Sequence, residues 1–283
     1  MLRIAVQAKG RLYEETMKLL EEAGVKWNSS KRTLLLSSST FPAEILFLRD
    51  DDIPQSVAYG VADVGIVGEN EVAEKAQNVE VIKRLGFSKC RLSLAIPKEA
   101  DYKGLDWFQN KTIATSYPGI LSAFLAKNNI KAEMHEISGS VEVAPGIGLA
   151  DAIFDIVSSG STLVSNHLKE VEVVMKSEAL IIGNNKLTDD KRAILNELMF
   201  RIDSIQAAEG KKYIMMNAPT AKLDEISSIL PGMKSPTLTH LATEGWCSLQ
   251  AVIEEKRFWE IIGQLKELGA EGILVMPIEK MIL

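Results

Sequence analysis

Residues 151–163, DAIFDIVSSGSTL, decide how this chain is read. The apolar residues alternate as they do along a buried strand, Asp155 stands near the strand's end, and Ser158-Ser159-Gly160-Ser161-Thr162 runs straight into a helix. Successive backbone N–H groups in such a turn, together with hydroxyls and a helix N-terminus, make a seat for a phosphate dianion. Gly160 permits close backbone approach. Asp155, with Asp151 one turn earlier, is placed to accept hydrogen bonds from vicinal sugar hydroxyls. Phosphate plus sugar hydroxyls describes a ribose 5-phosphate grip. Taken alone, a solvated turn with a Ser or Thr N-cap explains the same thirteen residues equally well.

Outward from this stretch, short apolar runs alternate with helical patterns, the rhythm of an α/β protein. LRIAVQ (2–7), RTLLLSS (32–38), AEILFLR (43–49), ADVGIVG (62–68), VEVIKRL (79–85) and RLSLAIP (91–97) read as strands. LYEETMKLLEEAG (12–24), IPQSVAYG (53–60) and ENEVAEKA (69–76) read as helices, with Gly24 as a stop and Pro54 in a first turn. A second set follows: strand KTIATS (111–116), helix PGILSAFLAKNN (118–129), strand KAEMHEI (131–137) and a helix through 139–151. Strand 152–158, a helix through 161–170 and a strand pair in 172–184 complete it. Residues 188–210 form a long amphipathic helix with Thr188 as N-cap and acids in its first turn.

The remaining residues change character. Strand 211–219, helix 222–230, strands 236–242 and 246–254, helix 257–269 and strand 271–278 give the order βαββαβ of a ferredoxin-like domain. Trp246, Phe258, Trp259 and the pair Met215-Met216 are expected in its core, and His167 on a helix surface.

Composition sets limits. The chain has 283 residues, 46% hydrophobic and 25% charged, enough for two or three globular units. No run of about 18 apolar residues occurs, so no membrane partner is expected. The start reads as a strand entering a functional turn and lacks the segments of an export signal, which implies a cytoplasmic protein. Cys90 and Cys247 have no metal-ligand spacing and read as reduced structural thiols. A net charge of −6 excludes a broad nucleic-acid surface while leaving room for a local cationic pocket. His135, His167 and His240 form no cluster, so no metal site is assigned to protein ligands.

A longer pattern surrounds the opening stretch. Glu142, Gly148, Ala150, Ile153, Asp155, Ile156, Ser159, Gly160, Thr162 and Leu163 reproduce, spacing by spacing, the motif of the ATP phosphoribosyltransferase family. The chain also resembles that family in IAVQAKGRL (4–12), LRDDDIP (48–54), ADVGIVGEN (62–70), IATSYP (113–118) and ILVMPIEKM (273–281). The resemblance implies a two-lobed catalytic part similar to periplasmic binding proteins. Lobe I comprises residues 1–91 and 178–209, and lobe II residues 92–177. A ferredoxin-like, ACT-like regulatory domain of the family's long form occupies 211–283.

The implied reaction joins N1 of ATP's adenine to C1 of phosphoribosyl pyrophosphate and expels pyrophosphate, with Mg²⁺ held largely by pyrophosphate oxygens and water. The resemblance also implies feedback inhibition by histidine and a homo-oligomer, a hexamer in equilibrium with a dimer. In these terms Ser158, Ser159, Gly160, Ser161 and Thr162 cradle the 5-phosphate, and Asp155 holds the ribose with Asp151 and Glu142 as neighbours. Lys9, Gly10 and Arg11 lie just beyond the first strand, where open α/β sheets present ligands. An ordinary solvated turn is the alternative there, and Gln7-Ala8 departs from the family's usual Pro before Lys-Gly-Arg. Arg49 precedes Asp50, Asp51 and Asp52, and it is either a phosphate clamp or an ion pair within that turn. Glu69 contacts the nucleotide or caps a helix; Tyr117 stacks on a substrate ring or fills the cleft wall. Asp155, Lys9 and Arg49 form the expected catalytic set. Asn217, Met233, Ser235 and Thr237 match the effector positions. A non-catalytic nucleotide sensor and a phosphoribosyltransferase for another base are the competing readings.

Overall fold

The structure is a computed structural model and describes residues 1–27, 34–230 and 232–283. The chain divides into two compact units, Met1–Leu195 and Asn196–Leu283.

In the first unit β1 (Leu2–Gln7) leads to α1 (Arg11–Glu22), then β2 (Leu35–Ser37), β3 (Ala43–Leu48), α2 (Ile53–Ala58), β4 (Val64–Gly68), α3 (Glu69–Lys75) and β5 (Glu80–Arg84). Arg32 and Thr33 of the expected second strand lie outside the described residues. The chain then builds a second sheet from β6 (Cys90–Pro97), β7 (Thr112–Thr115), α4 (Pro118–Lys127), β8 (Glu133–Glu136), β9 (Ala152–Val157), α5 (Ser161–Ser165) and β10 (Leu168–Ser177). β11 (Ala179–Gly183) returns to the first sheet, and α6 (Asp189–Ala208) follows. The strand orders are β2-β3-β1-β4-β11-β5 and β10-β6-β9-β7-β8. Each sheet combines parallel pairs, β1 with β3 and β4, β7 with β8 and β9, with antiparallel strands: β2 and the returning β11 in the first sheet, and β6, paired with β9 and β10, in the second. This is the two-lobed α/β plan of the periplasmic-binding-protein type.

The apolar runs explain the sheets. Leu2, Ile4, Ala5 and Val6 of β1 are completely buried, as continuous burial on both faces of a parallel sheet demands. Leu92, Leu94, Ile113, Phe154 and Leu121 form the corresponding core of the second lobe. Burying Phe154 alone contributes about 2–3 kcal/mol. The lobes are joined by two passages that run side by side: Leu85 N–H donates to Ala179 O at 2.9 Å, and Ala179 N–H to Phe87 O at 3.0 Å.

Two expected helices are shorter than their patterns. Residues 139–151 yield only a 3₁₀ turn at Val141–Val143, because Pro145 cannot donate into a helix ladder and Gly148 adopts φ +76°. The helix after the serine loop stops at Ser165, and Leu168 already begins β10, a ten-residue strand. His167 therefore sits at φ +55° in the intervening turn, not on a helix surface.

The second unit continues from α6 into β12 (Lys211–Pro219), α7 (Leu223–Ile229), β13 (Thr237–His240), β14 (Trp246–Glu254), α8 (Glu255–Glu267) and β15 (Glu271–Pro277). The sheet order β13-β14-β12-β15, antiparallel throughout, is ferredoxin-like. Its core contains Ile214, Met216, Leu249, Ile261 and Leu265, with Phe258 packed against it. Met216 is buried while Met215 is only half-buried, the alternation of a strand with one covered face. Trp259 is 78% exposed and lies outside that core, contrary to the expectation for it. α8 turns Ile261 and Leu265 inward, and Trp259 falls on the opposite face.

Candidate active site

β9 delivers the serine loop. Its last residue, Val157, is held in the sheet opposite Arg91 of β6, and the chain leaves as Ser158-Ser159-Gly160. Gly160 takes φ +83°, ψ 0°, a left-handed conformation that a residue with a Cβ adopts only with strain. The Ser159 and Ser161 hydroxyls lie 3.0 Å apart, and α5, a single short turn, begins at Ser161. The loop borders a cavity of about 250 Å³ whose other walls include Glu142, Ile153 and Asp155.

Asp155 is the chemically marked group in this cavity. Burial pushes its carboxyl up to about 6; the Ile156 N–H, 2.8 Å from Oδ1, opposes the shift, and the negative charge of Glu142 adds to it. Asp151 stands elsewhere. Its carboxylate accepts the Thr112 N–H at 3.0 Å and the Lys111 ammonium at 3.2 Å, which holds it below the usual carboxylate range, and it is not among the cavity's lining residues. It ties β7 to the chain entering β9.

A second cavity, of about 230 Å³, shares Ile156 and Ser158 with the first. Gln7, Arg11, Asp50, Asn70 and Glu71 line its other side. Gly10, at φ +95°, turns the chain from β1 into α1 and presents Arg11 there, with Arg11 Nε 3.3 Å from Glu15. Lys9 is exposed on the same turn. Arg49 is engaged with Asp51 at 3.1 Å, the ion pair within the acidic turn. Glu69 is paired with Arg84, whose other partner is Glu178 at 3.0 Å; these two acids raise the guanidinium's pKa further.

Tyr117 is buried at the start of α4, and its hydroxyl donates to Glu71 at 3.0 Å. The Asn70 amide donates to Glu71 at 2.9 Å and to the Tyr117 oxygen at 3.2 Å, and Ser177 donates to Asn70 at 2.8 Å. Burial and the nearby Asp50 push the Glu71 carboxyl up to about 7. Asn70, Glu71 and Ser177 escaped the sequence reading. The one available signal was an acid and an amide directly after the strand-ending Gly68, in a position where α/β sheets present ligands.

Two α/β lobes with a serine–glycine loop at a helix start beside a second polar cavity define the class: a two-lobed α/β protein built to hold polar ligands. Residues 49–204 match the family model described as HisG: ATP phosphoribosyltransferase, and residues 208–280 match HisG, C-terminal domain. A Bacteroides fragilis ATP phosphoribosyltransferase is 70% identical over 283 residues, covering all of both chains. One from Parabacteroides distasonis is 71% identical over 282 residues, again with full coverage of both. Among solved structures, the "ATP phosphoribosyl transferase (HisG:HisZ) complex" from Thermotoga maritima aligns at TM-score 0.62 and 26% identity, over 72% of this chain and 99% of that one. The chain belongs to the ATP phosphoribosyltransferase family, in its long form with the C-terminal domain. Its activity is that of the first step of histidine biosynthesis, which sets aside the sensor and other-base readings.

Proposed function

We propose that the joined cavities divide this reaction between them. The loop 158–162 receives the 5-phosphate of phosphoribosyl pyrophosphate on its N–H groups and hydroxyls, and Asp155, with Glu142 beside it, faces the ribose hydroxyls. ATP enters from the side of Gln7 and Arg11, with Lys9, Gly10 and Arg11 toward its phosphates. Arg49 meets the departing pyrophosphate on exchanging Asp51 for it. Glu69 acts through Arg84, and Tyr117 shapes the wall from the Glu71 network. Asp151 serves as a strut at the foot of β9.

The adenine N1 lone pair forms the new bond to C1 as the C1–O bond breaks and its electrons leave on pyrophosphate. Such a displacement needs two polyanions held in line and charge stabilised at both ends, and it needs no covalent nucleophile. Among the described residues no three His, Cys, Asp or Glu side chains converge as a metal cage. The neighbouring carboxylates of Glu142 and Asp155 fit a hard cation shared with substrate oxygens and water. Bound in that way, Mg²⁺ would neutralise the pyrophosphate as it leaves.

The observation that supports this reading is the sharing of Ser158 and Ile156 by both cavities, which sets the serine loop beside a second polar space. Pyrophosphate release from ATP, phosphoribosyl pyrophosphate and Mg²⁺ tests it; a folded, wholly inactive protein would refute it.

For the tail we propose histidine-sensitive regulation and assembly into a hexamer in equilibrium with a dimer. Within one chain β14 separates Asn217 on β12 from Ser235 and Thr237 at β13. Met233 lines a separate small cavity near Ile229 and Arg257. This separation supports an effector site that draws on a second copy for some of the four positions. Among the described residues no helix is long and apolar enough to cross a membrane, which suits the proposed cytoplasmic location.

A further inference from the structure

Glu170, on β10, sits where the pairing with β6 slips: Glu170 lies opposite Ala95 but Glu172 opposite Leu94, so Val171 is an extra residue. A bulge of this kind bends the strand and re-aims its side chains. The Glu170 carboxylate meets Arg91 of β6 in a two-point pair, Nε to Oε1 at 2.5 Å and Nη2 to Oε2 at 2.6 Å, and takes the Ser93 hydroxyl at 2.6 Å as well. Fork-to-fork pairing fixes the guanidinium plane. The remaining nitrogen, Nη1, donates to the Ser158 carbonyl at 3.0 Å.

Ser158 is the first residue of the phosphate loop and belongs to both cavities. Its carbonyl is thus held from outside the loop, by a cation whose own orientation is set by a bulged neighbouring strand. Anchoring a peptide group at that point limits how the following N–H groups rotate. Glu170 lies below the usual carboxylate range because Arg91 stabilises its charge, so the pair stays ionised at neutral pH.

We propose that Arg91, oriented by Glu170 and Ser93, is a positioning residue that holds the Ser158 peptide and thereby sets the geometry of the 5-phosphate seat. The role rests on the loop's assignment to phosphoribosyl pyrophosphate. Arg91 holds the loop's backbone and not the reacting atoms, and the N–H groups it orients are those that follow Ser158 into the 5-phosphate seat, so its removal falls most on the capture of phosphoribosyl pyrophosphate.

Steady-state kinetics of the full chain with ATP, phosphoribosyl pyrophosphate and Mg²⁺ test this in Arg91→Ala, Arg91→Lys and Glu170→Gln, with thermal unfolding of each alongside. Arg91→Ala is expected to raise the KM for phosphoribosyl pyrophosphate about tenfold with the KM for ATP nearly unchanged, as misplacement of a substrate-holding group predicts. Arg91→Lys should recover part of that loss, and Glu170→Gln should shift the same constant in the same direction. Equal changes in both KM values, or no change in either Arg91→Ala or Glu170→Gln, overturns the proposal while leaving the reaction itself intact. Should Arg91→Ala fail to fold, the selective shift in Arg91→Lys and Glu170→Gln decides alone. A wild-type chain that releases no pyrophosphate defeats the substrate assignment, and this role with it.

Discussion

The hydroxyl of Tyr117, on lobe II, donates to the carboxylate of Glu71, on lobe I, across 3.0 Å, and both groups are buried. Sequence places the two 46 residues apart; the fold makes them a fastening between α3 and α4.

Glu71 makes stability depend on pH. Its folded carboxyl titrates near 7 against an ordinary 4.5, so between these values the folded state binds the extra proton. Stability is then full below about 4.5 and declines as pH rises through about 7, by a total of about 3 kcal/mol. Glu71→Gln, which keeps the shape without the charge, should flatten this slope and gain on the wild type at pH 8. Melting temperatures at pH 5.5 and pH 8 check this, and parallel curves would contradict it.

Asp155 should govern the acid limb of catalysis. In the proposed ribose role its ionised form accepts the sugar hydroxyls, so kcat/KM for phosphoribosyl pyrophosphate should fall as pH drops through about 6. Removing the Glu142 charge by Glu142→Gln should move that limb to lower pH, since the neighbouring acid raises the Asp155 carboxyl. Asp155→Ala should lose roughly a hundredfold or more in rate while unfolding normally. Near-wild-type turnover would remove Asp155 from the ribose role.

Gly160→Ala separates backbone strain from steric clash. A Cβ there meets nothing nearer than Val157 at 3.9 Å, so the cost is the left-handed φ alone, about 1–2 kcal/mol. The loop should relax out of this conformation, with a raised KM for phosphoribosyl pyrophosphate and little change for ATP. A titration of each substrate against the variant tells the two apart.

If the tail carries the proposed effector site, removal of residues from Lys211 onward abolishes inhibition by histidine. Activity with and without histidine, read beside the sedimentation behaviour of the truncated chain, distinguishes loss of the effector site from loss of assembly. Persistent inhibition would relocate the effector to the first unit.

Much of this was legible because local chemistry and global position agree. The nearly continuous apolar run in 152–157 and the glycine at 160 mark a buried strand and its turn, and β9, its loop and α5 follow. The shortened helices were hidden because amphipathic spacing over 139–151 and 161–170 says nothing of how Pro145 or the positive φ of His167 divides it. Glu71 and Asn70 were hidden for a different reason. In sequence they are polar residues opening a helix, and Tyr117 and Ser177, supplied by distant segments, complete the network that holds them. Glu170 likewise acquires its aim from a bulge that strand propensity does not reveal.

The paired crossing at Leu85–Phe87 and Ala179 has a mechanical result. Two passages laced by main-chain hydrogen bonds act as one ribbon, so neither can slide past the other without breaking a backbone pair.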